Sequence, residues 1–121
     1  MLFIYITDAV YFPGDWVTHL GYTGSRSDVL VKHWDPGNVI CAGYDVEGNG
    51  TYKLAVTDLE PGSYYFKVAI GGSWDVNYGR HGKKDGENIR FDVLRHTDIV
   101  TLRFDAGTHT PSFSIAALEG T

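Results

Sequence analysis

Two of the three tryptophans, Trp34 and Trp74, stand among turn-forming residues. A large apolar ring is costly to expose in a turn unless it has a partner. An indole face can cover the apolar C–H face of a pyranose while neighbouring polar groups bond the sugar hydroxyls. The chain places such neighbours close to Trp74: Asp75, Asn77 and Tyr78. The pattern indicates a sugar-stacking site, and the alternative is that each indole closes one end of the core.

Acid–base chemistry has weaker support. The carboxylates that could be paired for glycoside hydrolysis are Asp75, Asp85, Glu87, Asp92 and Asp98. Because 15 of 121 residues are acidic, chance pairs are expected, and a domain this small has little room for a walled cleft. Solvated turn carboxylates are the better interpretation, and we predict that the chain is not an enzyme.

Metal and nucleophile signatures are also weak. The histidines lack metal-ligand spacing, and although His81 lies near Asp85 and Glu87, the loop 78–88 has no calcium-loop pattern. We therefore predict no metal and no other cofactor, with calcium in that loop as a minor alternative. No serine occupies a Gly-x-Ser-x-Gly elbow, and Cys41, in an apolar run, is expected to be a buried thiol.

Length and charge narrow the function classes. A chain of 121 residues predicts one domain over residues 1–121. The net charge of −5 disfavours binding to nucleic acid or to an anionic membrane. The opening apolar run, Leu2 to Ile6, is too short for a signal peptide or a membrane span. The single cysteine excludes an intrachain disulfide.

The elements that must position these residues are short strands. Alternating runs rich in β-branched and aromatic residues, each closed by a turn signal, are typical of β-structure. We predict strands near residues 2–6, 28–32, 39–44, 51–57, 63–70, 89–93, 99–104 and 112–116. Their spacing predicts an all-β fold, an immunoglobulin-like antiparallel β-sandwich of about seven to eight strands. Asn49-Gly50-Thr51 fits either a glycosylation acceptor or, preferably, a hairpin turn.

The two central strands show the clearest alternation. Core positions are predicted on one face of each strand: Tyr52, Leu54 and Val56, and Phe66, Val68 and Ile70. Lys67 has the opposite parity, so its ammonium should leave the core and lie on a sheet surface.

From residue 34 to about residue 109 the sequence resembles a known family. The resemblance lies in five segments: Trp34-Asp35-Pro36, the hairpin 48–52, the run 59–70, the stretch 72–79 and Gly86-Glu87-Asn88-Ile89. In order and spacing they are similar to starch-binding β-sandwich modules of bacterial pullulanases and amylopullulanases. More distantly they resemble the glycogen-binding module of the AMP-activated kinase β subunit, in which a lysine precedes a hairpin tryptophan by the same seven positions that separate Lys67 and Trp74.

This resemblance implies a sugar site of named residues. Two tryptophans would stack on an α-1,4-glucan, a lysine and an asparagine would bond its hydroxyls, and by position these are Trp34, Trp74, Lys67 and Asn88. The segment before Trp34 is longer than the family pattern. Trp16, which lies in it, could therefore extend, cover or replace part of the site.

The resulting hypothesis is a noncatalytic module for α-glucans such as starch, glycogen, pullulan or maltooligosaccharides. It would tether an amylolytic enzyme, of the α-amylase superfamily of glycoside hydrolases, or a surface complex to its polymer, outside the cell or on its surface. The partners would be the α-glucan and a catalytic domain in the same or another chain. The alternative is an immunoglobulin-like spacer that packs against a catalytic domain without binding sugar.

Overall fold

The fold is described from a computed structural model, for residues 9–17 and 33–117. Nine strands run through these residues: β1 (Val10–Tyr11), β2 (Ala42–Gly43), β3 (Thr51–Val56), β4 (Gly62–Phe66), β5 (Val68–Ile70), β6 (Asn77–Tyr78), β7 (Ile89–Val93), β8 (Ile99–Asp105) and β9 (Thr110–Ala116). Two 3-10 turns, Val39–Cys41 and Arg80–Gly82, complete the described elements. The strands predicted at 2–6 and 28–32 lie outside the described residues. Among those described, no helix has the length and apolar character needed to span a membrane.

All strand pairs are antiparallel. One sheet has the order β2-β1-β5-β6, a second has β3-β8-β9, and β4 pairs with β7. The longest ladder joins β8 to β9 over seven residue pairs, from Ile99↔Ala116 to Asp105↔Thr110. This arrangement confirms the predicted all-β antiparallel sandwich. The described residues hold more strands than were predicted there, because β1 and β6 were not predicted and the predicted strand 63–70 is divided into β4 and β5.

The core is built from the inward positions of these strands. In β8 the buried residues alternate with half-buried or exposed ones, so Val100, Leu102 and Phe104 face inward. The same cluster contains Val56, Phe66 and Val68, while Tyr52, Leu54 and Ile70 pack against it partly buried. The predicted parity is therefore confirmed, including the outward position of Lys67.

The predicted strand 63–70 is broken at Lys67. The backbone N–H of Lys67 donates to the carbonyl of Pro13 at 3.0 Å, and Phe66 forms an isolated bridge with Gly14. The chain before this point pairs with β7, whereas the chain after it pairs with β1. The chain thus passes from one sheet to another at the point where it contacts residues 13–14. Because those residues are distant in the sequence, local alternation does not reveal this contact.

The predicted strand 39–44 is wrong over its first half. The side chain of Asn38 accepts from the N–H of Ile40 at 3.0 Å and caps the 3-10 turn Val39–Cys41. Strand pairing begins only at Ala42, and Tyr44 then forms a bridge with Lys53. Asn49-Gly50 lies in a turn that the bridge between Tyr44 and Lys53 closes, and the carboxylate of Asp45 accepts from both backbone N–H groups. Of the two residues only Gly50 has positive φ, so this is not the two-residue hairpin turn that Asn-Gly favours.

Trp16 belongs to the core. It is 1% exposed and its Nε1 donates to the carbonyl of Phe12 at 3.2 Å. The expectation that Trp16 could extend or cover the sugar site is therefore wrong. Cys41 is fully buried as expected, and burial, with a smaller contribution from the negative charge of Asp35, raises the pKa of its thiol to about 12. That thiol is inert at neutral pH.

Candidate functional site

Trp34 and Trp74 are brought together as a tilted pair. Their ring centroids lie 6.4 Å apart and the ring planes are inclined at 41°. Trp74 is 38% exposed, and Trp34 is half-buried. The two rings therefore present a bent aromatic surface to solvent rather than filling the core.

Two turns meet at their backbones to produce this pair. A Cβ atom added to Gly37 would lie 2.9 Å from the carbonyl oxygen of Gly72, closer than real Cβ atoms approach backbone. Gly71 and Gly72 both have positive φ, at 78° and 83°, which glycine adopts without a steric penalty. The absence of side chains at these positions lets the Trp34 and Trp74 turns touch.

Trp34 itself has an unusual backbone conformation. Its φ is 58°, in the left-handed region that a bulky side chain rarely adopts. The N–H of Trp34 donates to the carbonyl of Gly14 at 3.0 Å, so the segment that follows β1 helps to hold it. Strained conformations of this kind cluster at binding sites, where tertiary contacts fix a side chain in one direction.

Lys67 extends its ammonium group to the Trp74 ring. Nζ lies 5.9 Å from the ring centroid, within the range of a cation–π contact. Partial burial lowers the pKa of this lysine from its usual value, and attraction by Asp85 opposes that shift. The ammonium is a hydrogen-bond donor with three protons, placed beside an aromatic platform.

Asn77 lies beneath the Trp74 turn. It is 5% exposed, and its Nδ2 donates to the carbonyl of Trp74 and to Oδ1 of Asp85, each at 2.9 Å. Asn77 is thus placed to support the turn rather than to face a ligand. Asp75 is exposed on the same turn, where its backbone N–H donates to Oγ of Ser73 at 3.2 Å.

Tyr78 and Asn88 have different surroundings. The Tyr78 ring stacks on His109, with centroids 4.6 Å apart and planes inclined at 9°, and on Phe104 at 5.5 Å. It lines an apolar groove of about 230 Å³ together with Ile70 and Val76. Asn88 is exposed immediately before β7. Neither is drawn into the Trp34–Trp74 pair by a described contact.

The carboxylates considered for hydrolysis have partners of their own. Asp98 accepts from the N–H groups of Leu94 and Arg95, each at 3.1 Å. Asp92 accepts from Ser63 at 2.7 Å, and Glu87 forms an ion pair with Arg80 at 2.7 Å. Over residues 9–17 and 33–117, no three His, Cys, Asp or Glu side chains converge on a position that would suit a metal ion.

Sequence reasoning missed two kinds of residue at this site. Gly37 matters through a close backbone approach, and glycine in Asp35-Pro36-Gly37 reads only as a turn. His109 matters through its stack on Tyr78 with φ of 59°, and an isolated histidine after a turn carries no signal of such a contact. Asp85 was considered for hydrolysis and for calcium in the loop, but not for the sugar site.

Comparison with known proteins identifies the family. Residues 10–111 match the pullulanase X25 domain family. The chain therefore belongs to that family, which confirms the resemblance to pullulanase and amylopullulanase modules.

Individual relatives agree with this assignment. An amylopullulanase of Thermoanaerobacterium thermosulfurigenes is 50% identical over 76 residues, covering 63% of this chain and 4% of the relative. An amylopullulanase of Thermoanaerobacterium saccharolyticum is 37% identical over 78 residues, covering 64% of this chain and 6% of the relative. The chain thus corresponds to a small part of these much longer proteins.

A solved structure shows the same fold. The pullulanase from Bacillus acidopullulyticus superposes with a TM-score of 0.65 over 88% of this chain and 11% of that one, at 21% sequence identity. At this identity the likeness establishes the β-sandwich fold. The chain is related to small domains of pullulanases and amylopullulanases.

Proposed function

We propose that this protein is a noncatalytic α-glucan-binding module, with residues 1–121 acting as a single domain. The observation that carries the proposal is the solvent-facing pair of Trp34 and Trp74, tilted at 41° with Lys67 beside it. The family relationship to domains of pullulanases and amylopullulanases supports it. Starch, glycogen, pullulan and maltooligosaccharides are the proposed ligand class.

The tilt of the rings favours a curved ligand. Successive glucose units of an α-1,4-linked chain turn steadily, so two neighbouring units present their C–H faces at an angle to each other. Rings inclined at 41° match such a surface better than the flat face of a β-1,4-linked chain, which would suit coplanar rings. Stacking removes apolar ring and sugar surface from water at both contacts.

Polar groups around the rings complete the proposed site. The Lys67 ammonium would donate to glucose hydroxyls, and the exposed carboxylate of Asp75 would accept from them. Asn88 remains a proposed sugar contact because of its position in the family pattern. Tyr78 would contact the sugar at the edge of the site, through the apolar groove that it lines. Asn77 would serve by holding the Trp74 turn, since its side-chain NH2 group already donates to Trp74 and Asp85.

The proposed role is tethering. A shallow site with two stacking platforms should bind with a Kd of roughly micromolar to millimolar, or about −8 to −4 kcal/mol. Attached to a glycoside hydrolase, such a site would raise the enzyme's local concentration on its polymer. We propose that the module and the attached glycoside hydrolase act outside the cell or at its surface, where starch and pullulan are encountered.

Titration calorimetry tests the proposal. Purified protein would be titrated with β-cyclodextrin and maltoheptaose, with cellohexaose as the linkage control. Saturable heat from the two α-glucans alone is the expected result, and no heat from any sugar would contradict it. Release of reducing ends from maltoheptaose by the purified chain would overturn the noncatalytic assignment.

A second candidate function, a spacer that packs against a catalytic domain, has its own structural support. Val39, Tyr44 and Val46 are 78%, 64% and 90% exposed. Tyr44 lines two neighbouring grooves, one together with Val39 and the other together with Val46. Contiguous exposed apolar groups mark interaction surfaces. Sugar binding that survives Tyr44→Ala, with loss of docking to an attached catalytic domain, would assign the two roles to separate surfaces.

A further inference from the structure

Asp85 links the long loop 79–88 to the end of β6. Its backbone N–H donates to the carbonyl of Asn77 at 3.0 Å, and its Oδ1 accepts from Nδ2 of the same residue at 2.9 Å. Asp85 has φ of 58°, a left-handed conformation that aspartate and asparagine tolerate better than most residues. Asp85 is therefore joined to Asn77 by one main-chain and one side-chain hydrogen bond, while its side chain is 67% exposed.

The same asparagine connects Asp85 to Trp74. Nδ2 of Asn77 donates to the Trp74 carbonyl at 2.9 Å as well as to the Asp85 carboxylate. Asn77 is 5% exposed, so its amide is shielded from competing water. A hydrogen bond with an ionised acceptor is stronger than one between neutral groups, which makes the Asp85 carboxylate a firm anchor for the turn.

Asp85 also acts on Lys67. Its negative charge raises the pKa of the lysine, against the lowering caused by burial. Nζ of Lys67 lies 5.9 Å from the Trp74 ring centroid, so the carboxylate favours the charged ammonium beside that ring. Lys84 is the other nearby cation, with Nζ 3.9 Å from Oδ2 of Asp85.

We infer that Asp85 is a positioning residue of the α-glucan site, anchoring the Trp74 turn through Asn77. This inference rests on the proposed function and adds a residue that neither aromatic spacing nor family position indicates. Glu87, on the same loop, provides the contrast, because its carboxylate is paired with Arg80 at 2.7 Å.

Three variants separate charge from hydrogen bonding. Asp85→Asn keeps an oxygen that can accept from Asn77 and tolerates the left-handed backbone, but removes the charge. Asp85→Ala removes both the charge and the acceptor. Glu87→Gln removes one negative charge from the same loop and serves as the matched control. Circular dichroism melts would verify that each variant is folded, and Asp85→Asn carries the test if Asp85→Ala does not fold.

The first readout does not require sugar. NMR titration of the lysine side-chain signals, with the Lys67 signal identified by its loss in Lys67→Arg, measures the Lys67 pKa in each variant. We expect a lower Lys67 pKa in Asp85→Asn than in the unmodified protein, and little change in Glu87→Gln. Equal Lys67 pKa values in Asp85→Asn and Glu87→Gln would overturn the link between Asp85 and the ammonium.

The second readout is affinity for β-cyclodextrin. We expect Asp85→Asn to weaken binding about two- to fivefold, the range of a partly exposed charge interaction. Asp85→Ala should weaken binding about tenfold or more, because the anchor of the turn is also lost, while Glu87→Gln should stay within about twofold. Unchanged affinity in Asp85→Ala would overturn the positioning role.

The two readouts distinguish the failure of each claim. If the unmodified protein binds no sugar, the proposed function fails, and the Lys67 titration together with the Trp74 indole NMR signal still decides whether Asp85 acts on both groups. If sugar binds normally and the Asp85 variants behave like Glu87→Gln, the proposed function stands and the positioning role fails.

Discussion

Two pairs of aromatic rings with similar centroid distances lie in different surroundings in this molecule. In the core, Phe66 and Phe91 have ring centroids 6.0 Å apart with planes at 60°. At the surface, the Trp34 and Trp74 centroids lie 6.4 Å apart with planes at 41°. Phe66 is fully buried, whereas Trp74 is 38% exposed. Ring geometry alone therefore does not identify a binding site. The exposure of the rings and the groups around them must also be considered.

The surroundings differ in chemistry as well as in exposure. The phenylalanine cluster is enclosed by strand residues whose alternation places them inward, such as Leu102 and Val100. The tryptophan pair sits on turns held by backbone contacts, a buried amide and a nearby ammonium. The first arrangement contributes stability and the second offers a surface on which a ligand can stack.

The largest effect is expected in the core. Phe66→Ala should lower the free energy of unfolding by about 3 to 5 kcal/mol, because a fully buried ring leaves a cavity. A denaturant titration at neutral pH measures this. At temperatures where the variant is still folded, its affinity for β-cyclodextrin should be unchanged. A melt that barely moves would contradict the assignment of Phe66 to the core.

The surface pair should show the opposite behaviour. Trp74→Ala should weaken α-glucan binding by about 1 to 3 kcal/mol, the range known for one aromatic stacking platform, with little change in thermal stability. Calorimetry measures the affinity for the α-glucan, and a thermal melt measures the stability. Tyr44→Ala is the control, since it removes an exposed aromatic ring outside the proposed site. Equal affinities for the two variants would exclude Trp74 as a platform.

The contact between the two turns can be tested separately. Gly37→Ala would bring a Cβ within 2.9 Å of the Gly72 carbonyl, so the Trp34 and Trp74 turns must move apart. Affinity for β-cyclodextrin should fall by about 1 to 2 kcal/mol, the range of a modest overpacking strain. Gly107→Ala is the matched control, because its Cβ would meet only the Asp105 side chain, at 3.2 Å. Normal binding by Gly37→Ala would show that the close approach is dispensable.

The smallest effect concerns the core thiol. Burial raises the pKa of Cys41 to about 12, so the folded state disfavours the thiolate that the unfolded chain forms above pH 9. Stability from this group is fully present below about pH 9 and is lost as the pH rises toward 12. By pH 10 the loss should be about 1 kcal/mol, seen as a shrinking stability difference between the unmodified protein and Cys41→Ala. A difference that stays constant from pH 7 to 10 would contradict the raised pKa.

Local alternation predicts part of the core, whereas buried residues such as Phe12, Trp16 and Leu59 were not predicted. Phe66, Val68 and Val56 are buried as their parity predicts, and the outward position of Lys67 follows from the same rule. The break at Lys67 and the two-residue strands β1 and β6 were not predictable in this way. They depend on pairing with distant segments, such as the Pro13 carbonyl that receives the Lys67 N–H.

Of the candidate site, only the tryptophan and lysine side chains could be predicted from the sequence. Trp34, Trp74 and Lys67 were singled out from turn context and family spacing, and the structure brings them together. Trp16 was expected to extend, cover or replace part of the site, but it is a core residue, 1% exposed, whose indole N–H donates to the Phe12 carbonyl. Gly37 and Asp85 act through backbone approach and a shared amide, and neither leaves a pattern along the chain.

The three tryptophans provide the most direct test of the central claim. Each indole N–H gives its own NMR signal, and variants of Trp16, Trp34 and Trp74 assign them. On addition of β-cyclodextrin, we predict saturable shifts of the Trp34 and Trp74 signals with the Trp16 signal unchanged, because Trp16 is 1% exposed. Signals of Trp34 and Trp74 that stay in place at millimolar sugar would contradict the proposal that this pair is an α-glucan platform.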